Sequence, residues 1–184
     1  HNVNLAIKVL KSGKWSESPY PSQLATKFSQ EFTDFHHGKY GLCVSNGTVA
    51  FAIALKAAGL KYGDEILMPA ITFHSTAATA LEFGIIPKFI DIERKTLCID
   101  PLKIEQAITR KTKAIIVVHL GAMVADLDTI SKICQKHNLT LIEDCAHAHG
   151  AMWGNYGIGS YGDLSCFSFQ SSKLINCGEG GFIM

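Results

Sequence analysis

Between Tyr40 and Asp144, short apolar runs take turns with longer amphipathic ones. The short runs cover residues 41–44, 65–68, 87–90, 114–118 and 139–142. They are almost continuously hydrophobic, without the in-and-out alternation of a half-exposed strand, so they predict strands of a parallel sheet covered on both faces. The stretches 47–58, 75–83, 101–108 and 126–137 carry apolar residues at helical spacing. Gly59 and Gly84 stop the first two helices, and Asp100 before Pro101 is a helix start. Strand and helix alternate strictly, which predicts a three-layer α/β/α domain with a mostly parallel sheet over residues 38–184. Residues 1–37 read instead as a partly exposed helical segment. Leu5, Ile7 and Leu10 form a short stripe, residues 12–22 are turn-rich, and Leu24, Phe28, Phe32 and Phe35 recur at helical spacing, as core packing requires.

In such a sheet, ligands bind beyond the carboxyl ends of the strands. Ser45-Asn46-Gly47-Thr48 follows the first run and opens a helix. Free N–H groups there suit a phosphate, with Ser45 or Thr48 adding a hydroxyl; plain helix capping accounts for the same residues. Phe73 follows the second run, and is either a ring-stacking aromatic or a core residue. His119 ends the fourth run, as a ligand contact or a hydrogen-bonded structural histidine. Glu143-Asp144-Cys145-Ala146-His147-Ala148-His149 follows the fifth. Asp144, directly off a buried strand, is costly to ionise without a cationic partner, and a protonated ring nitrogen would be one. The spacing of Asp144, His147 and His149 matches no closed zinc set, so no metal is expected. A further β-rich run from Leu164 ends in a polar turn at Lys173, before Gly178-Glu179-Gly180-Gly181. A lysine in such surroundings that gives up its proton is a nucleophile able to form a Schiff base. Gly157-Ile158-Gly159-Ser160-Tyr161-Gly162 spells a dinucleotide fingerprint, but it precedes a strand and opens no helix, so it reads as a glycine-rich turn. A phosphate cradle, a stackable aromatic, a buried aspartate and a strand-end lysine are together what a pyridoxal phosphate site requires.

These residues, in this order, resemble the DegT/DnrJ/EryC1/StrS sugar aminotransferases, a family of fold type I pyridoxal phosphate enzymes. The likeness runs from about Leu5 to Met184. It rests on Ser45-Asn46-Gly47-Thr48, Pro69-Ala70-Ile71-Thr72-Phe73, Ile90-Asp91-Ile92, Glu143-Asp144-Cys145-Ala146-His147, and Ser168-Phe169-Gln170-Ser171-Ser172-Lys173. The resemblance implies that Lys173 is the Schiff-base lysine and proton carrier, and that Asp144 pairs with the pyridine nitrogen. It implies that Phe73 stacks on the ring, that Gly47, Thr48 and Ser168 hold the phosphate, and that His147 lies near the phenolic oxygen. His147 stands where many relatives have glutamine, and Asn46 where serine is usual.

The activity implied is amino transfer from glutamate or glutamine to a keto cyclitol or a nucleotide-linked keto sugar, in biosynthesis. The alternatives are a sugar dehydratase of the same family, in which a histidine replaces the lysine, and a non-catalytic binding or regulatory domain. Lys173 argues against the first, and Lys173 together with Asp144 against the second. By the same resemblance the active form is a homodimer, and relatives continue past Gly181 into more strands and a small C-terminal domain. Residues 182–184 are therefore expected to begin a strand that leaves an unpaired sheet edge. His74 and the region of Trp15 are candidate ketone contacts by position alone.

Bulk properties narrow the partners. Net charge is +1, which gives no basic field for nucleic acid or an anionic membrane. No apolar run approaches the roughly 18 residues that span a bilayer. The six cysteines form no C-x-x-C pair and lie mostly in apolar runs, which suits buried, reduced thiols and a cytoplasmic protein.

Overall fold

The five apolar runs and the run from Leu164 all become strands. The structure, a computed structural model, describes residues 2–15 and 23–184; the expected turns over residues 16–22 lie outside the described residues. The strands are β1 (Leu42–Val44), β2 (Glu65–Pro69), β3 (Ile86–Ile90), β4 (Thr112–Val118), β5 (Thr140–Asp144), β6 (Met152–Trp153), β7 (Tyr156–Gly157), β8 (Leu164–Ser168) and β9 (Gly181–Ile183). The helices are α1 (Asn2–Ser12), α2 (Gln23–Phe35), α3 (Gly47–Ala57), α4 (His74–Glu82), α5 (Pro101–Ile104) and α6 (Leu127–His137). The helix expected over residues 101–108 is one α-turn continued by a 3-10 turn at Glu105–Ala107.

One sheet runs β1-β9-β8-β5-β4-β2-β3, and β6 and β7 form a separate small hairpin. Every pair from β3 to β8 is parallel; β9 is antiparallel to both β8 and β1. The expectation of an open edge at residues 182–184 is corrected here. β9 is an inner strand, Met184 exchanges backbone hydrogen bonds with Ser165, and the edges are β1 and β3.

Alternate residues of each strand feed different layers. Ile115 and Val117 of β4 join Ile104, Ile130 and Ile133 in one core. Ala114, Ile116 and Val118 join Ala50, Ala54 and Leu55 of α3 and Ala80 of α4 in the other. This is why the strands read as unbroken apolar runs: each face needs its own set of hydrophobic residues. A fully buried aromatic or branched side chain contributes roughly 1.5–3 kcal/mol, so Phe167 and Phe182, both wholly buried, are major anchors of β8 and β9.

The N-terminal helices divide. Phe32 is buried, with its ring 5.0 Å from Phe167 and 4.9 Å from Phe182, and Phe28 packs beside it. Leu24 and Phe35 stay exposed, contrary to the expected core packing, because Phe35 lies past the end of the buried stripe and leans edge-on against His36. On α1, Val3, Leu5, Ile7 and Leu10 are all exposed. No described helix is long and apolar enough to cross a membrane.

Candidate active site

The carboxyl ends of β5 and β8, the start of α3 and the start of α4 surround a cavity of about 510 Å³. Among its lining residues are Gly47, Thr48, Phe73, Asp144, His147, Ser168 and Lys173, the residues that the family resemblance assigns to the cofactor. Four separate chain segments bring them together, and each segment has a local reason for its shape.

The start of α3 is made by Asn46, whose side-chain oxygen accepts from the Val49 N–H at 2.8 Å. Asn46 thus does the capping, and the N–H groups of Gly47 and Thr48 have no acceptor among the described residues. They lie at the positive end of an eleven-residue helix, where a phosphate is favoured. Gly47 also allows α3 to sit against β8, since a Cβ there would come within 3.0 Å of the Ser168 Cβ. Ser45 is not among the lining residues.

Asp144 ends β5. Its carboxylate accepts from the Ala146 N–H at 3.1 Å and the Thr76 hydroxyl at 3.3 Å, and Thr72 donates in turn to Thr76 at 3.2 Å. Burial pushes its carboxyl above the usual range, against the pull of Ala146, His119, His147 and Thr76. No lysine or arginine is paired with it among the described residues. A carboxylate so placed is suited to a cation that enters with a ligand.

Lys173 stands in the turn after β8. Gln170 shapes that turn, with its side-chain Oε1 accepting from the N–H and hydroxyl of Ser172 at 2.8 and 2.6 Å. The Lys173 N–H bonds the Gln170 carbonyl at 2.8 Å. The segment is tied back to the sheet by Phe169 N–H to Gly180 and Cys177 N–H to Phe169. Lys173 itself is half-buried, and its Nζ has no bonded partner among the described residues.

Phe73 is 63% exposed, which settles the choice left open by the sequence: it is not a core residue but an aromatic face on the cavity. His74 packs beside it at 4.3 Å between ring centres and is not among the lining residues. Trp15 is also not among them; its indole N–H donates to the Val9 carbonyl. His147 lines the cavity, and its Nδ1 accepts from the Gly121 N–H at 3.3 Å. Burial and the nearby Lys173 charge lower its pKa, so it is neutral near pH 7.

His119 resolves as structural. It is fully buried, with Nδ1 accepting from the Ala125 N–H and Nε2 3.0 Å from Glu143. Glu143 also accepts from the N–H groups of Gly159, Tyr161 and Gly162, at 3.0, 3.0 and 2.7 Å. The glycine-rich turn therefore does cradle an anion, but one from its own chain. His119, Glu143 and Cys145 are the single cluster of metal-ligating side chains among the described residues. Four donors already occupy the Glu143 oxygens, and burial holds the Cys145 thiol far from ionisation, so the cluster has no ligand set to offer.

Several lining residues had no separate signal in the sequence. Thr76, Ser75, Gln170, Ser172 and Glu179 reach the cavity only once helices and sheet are packed. The Thr72–Thr76 spacing of one helical turn was the available hint for Thr76.

Comparison with known proteins gives a consistent picture. The profile of the DegT/DnrJ/EryC1/StrS aminotransferase family matches residues 1–184. A protein of Micromonospora echinospora, named provisionally as an L-glutamine:3-amino-2,3-dideoxy-scyllo-inosose aminotransferase, is 44% identical over 183 residues, covering 100% of this chain and 44% of its own. The L-glutamine:scyllo-inosose aminotransferase of Streptomyces griseus is 41% identical over 179 residues, covering 96% and 42%. The crystal structure of NtdA from Bacillus subtilis with bound cofactor PMP superposes with a TM-score of 0.90 at 37% identity, covering 98% of this chain and 40% of that one. The chain thus spans less than half the length of the relatives it matches.

Proposed function

We infer the function from one premise: this chain belongs to the DegT/DnrJ/EryC1/StrS aminotransferase family. We propose that it carries the cofactor site of a pyridoxal phosphate-dependent aminotransferase that moves the amino group of L-glutamine to a keto cyclitol. The names of the relatives support both substrates. The observation that carries the reading is the convergence of Lys173 and Asp144 on one cavity with the free N–H groups of Gly47 and Thr48.

The residues fit the cofactor by the chemistry of their donors. The cavity, about 510 Å³, is of ligand size. The unpaired N–H groups suit a phosphate, and the half-buried Asp144 carboxylate has no lysine or arginine paired with it among the described residues, so a protonated pyridine nitrogen would suit it. Bound pyridoxal phosphate supplies an aldehyde for an amine and a ring that withdraws electrons.

The protein does the rest. Gly47, Thr48 and the Ser168 hydroxyl would hold the phosphate, and Phe73 would cover a ring face. Asp144, oriented by Thr76 and Ala146, keeps its charge opposite the ring nitrogen. Val118 and Leu120 add apolar lining to the cavity. The Lys173 amine would hold the cofactor through its aldehyde, and when free it would be placed to take a proton from the α-carbon of the amino donor and to return one, so that a keto cyclitol could accept the amino group. In this reading residues 38–184 are the large domain, the longer protein supplies a small C-terminal domain, and the active form is a cytoplasmic homodimer.

Borohydride reduction of the full-length, cofactor-loaded protein tests the lysine. We expect the fixed cofactor on the peptide of Lys173, and neither fixation nor transamination in Lys173→Ala. Fixation on Lys113 or another lysine would reject the assignment.

A further inference from the structure

Glu143 lies one residue before Asp144 yet on the opposite face of β5, wholly buried. A buried carboxylate costs several kcal/mol unless its oxygens are satisfied, so a chain that keeps one there uses it for something. Its contacts lead to the cavity by a short path. One Glu143 oxygen holds Nε2–H of His119. Because the other ring nitrogen of His119 accepts from Ala125, His119 is held as one neutral tautomer. These two bonds close a loop over residues 120–125. That loop needs holding, because Gly121 and Ala122 both have left-handed backbones, φ 58° and 65°, and alanine disfavours that region. The Gly121 N–H donates from this loop to Nδ1 of His147. A neutral imidazole that accepts at Nδ1 carries its proton on Nε2. That nitrogen has no protein partner among the described residues, on a side chain that lines the cavity.

We propose that Glu143 is a positioning residue: through His119 and the 120–125 loop it holds the Gly121 N–H against His147, so that His147 presents Nε2–H to the cavity. The claim rests on the cofactor-site reading given above. A histidine offers such a donor only if its other nitrogen is held. The charged groups nearest His147 are Asp144 and Lys173, and neither takes part in fixing the ring.

Two measurements on the full-length protein decide this. Two-bond proton–nitrogen correlation spectra with labelled histidine, taken with and without pyridoxal phosphate, report which His147 nitrogen is protonated. We expect Nε2 in both; a proton on Nδ1 would overturn the proposal. The second is the pH midpoint of the bound cofactor's absorbance change. Glu143→Gln and His119→Leu should each move it by about one pH unit, the scale of one lost hydrogen bond. In a His147→Gln background the same substitutions should move it hardly at all. An equal shift in both backgrounds, or none in the parent, would reduce Glu143 to a structural residue. Should one variant not fold, the other cuts the same path at its next bond and is read in the same two backgrounds. A protein that takes up no pyridoxal phosphate defeats the cofactor-site reading, and the ligand-free spectra then decide the tautomer by themselves.

Discussion

Asp144 and His149 are both shifted by burial, and the two shifts have different meanings. Asp144 faces a cavity, so its raised pKa falls where a ligand could meet it. His149 faces none. It is 6% exposed among Phe32, Phe167 and Phe169, and neither ring nitrogen has a hydrogen-bond partner among the described residues. Burial, outweighing the favourable backbone of Ser168, lowers its pKa from 6.5 to about 4. The unfolded chain therefore binds the proton at higher pH than the folded one. Stability falls as pH drops from about 6.5 to about 4, by roughly 3 kcal/mol at the acid end. Urea unfolding across that window should show the slope, with His36 adding to it in the same direction. His149→Phe keeps a ring in the aromatic cluster and removes the proton, so its slope should be clearly flatter; an unchanged slope would refute this account. The sequence signalled the aspartate, because an acid after a buried strand is conspicuous. It said nothing of the histidine's partners, which come from α2 and β8, more than a hundred residues and about twenty residues away respectively.

At the scale of elements, the strands were legible because their apolar runs are short and unbroken, and the helices from the spacing of their apolar residues, the stops at Gly59 and Gly84 and the start at Asp100; Asn46 and Asp126 prove to cap two of them as well. What pairs with what was not legible. The glycines of residues 178–181 read as a turn, yet Gly181 has a more specific task. It pairs with Val44 across the β1–β9 ladder, and a Cβ there would overlap the Asn46 carbonyl and lie 2.7 Å from the Gly47 nitrogen. The absence of a side chain on β9 thus sets where α3 begins. Likewise residues 157–162 could be recognised as a turn, but their anion, Glu143, belongs to a strand formed earlier in the chain. Gly181→Ala should push the α3 start off β9, costing about 1–3 kcal/mol of stability and loosening the phosphate cradle. Thermal unfolding and pyridoxal phosphate titration of the full-length variant would measure both. Unaltered stability with unaltered cofactor affinity would mean that the close approach does not matter.

The whole molecule leaves apolar side chains around its candidate site without partners. Phe73, Leu174 and Ile175 are exposed at or next to the cavity, and Val49 and Ile53 are exposed on α3, the helix that starts there. Val3, Leu5, Ile7 and Leu10 are exposed on α1. Scattered hydrophobic residues are ordinary on any surface, but a group of them beside a cavity points to a covering surface. Relatives more than twice as long offer two sources for it, the remaining sequence and a second copy. If both contribute, the full-length protein sediments as a homodimer and transaminates, whereas residues 1–184 by themselves associate through the uncovered surface or bind the cofactor without turnover. Sedimentation velocity and a coupled transamination assay on both forms would distinguish the cases. A monodisperse, monomeric 1–184 chain that turns over keto cyclitol would show that the cavity is complete within a single copy, and the proposed homodimer would lose its functional reason.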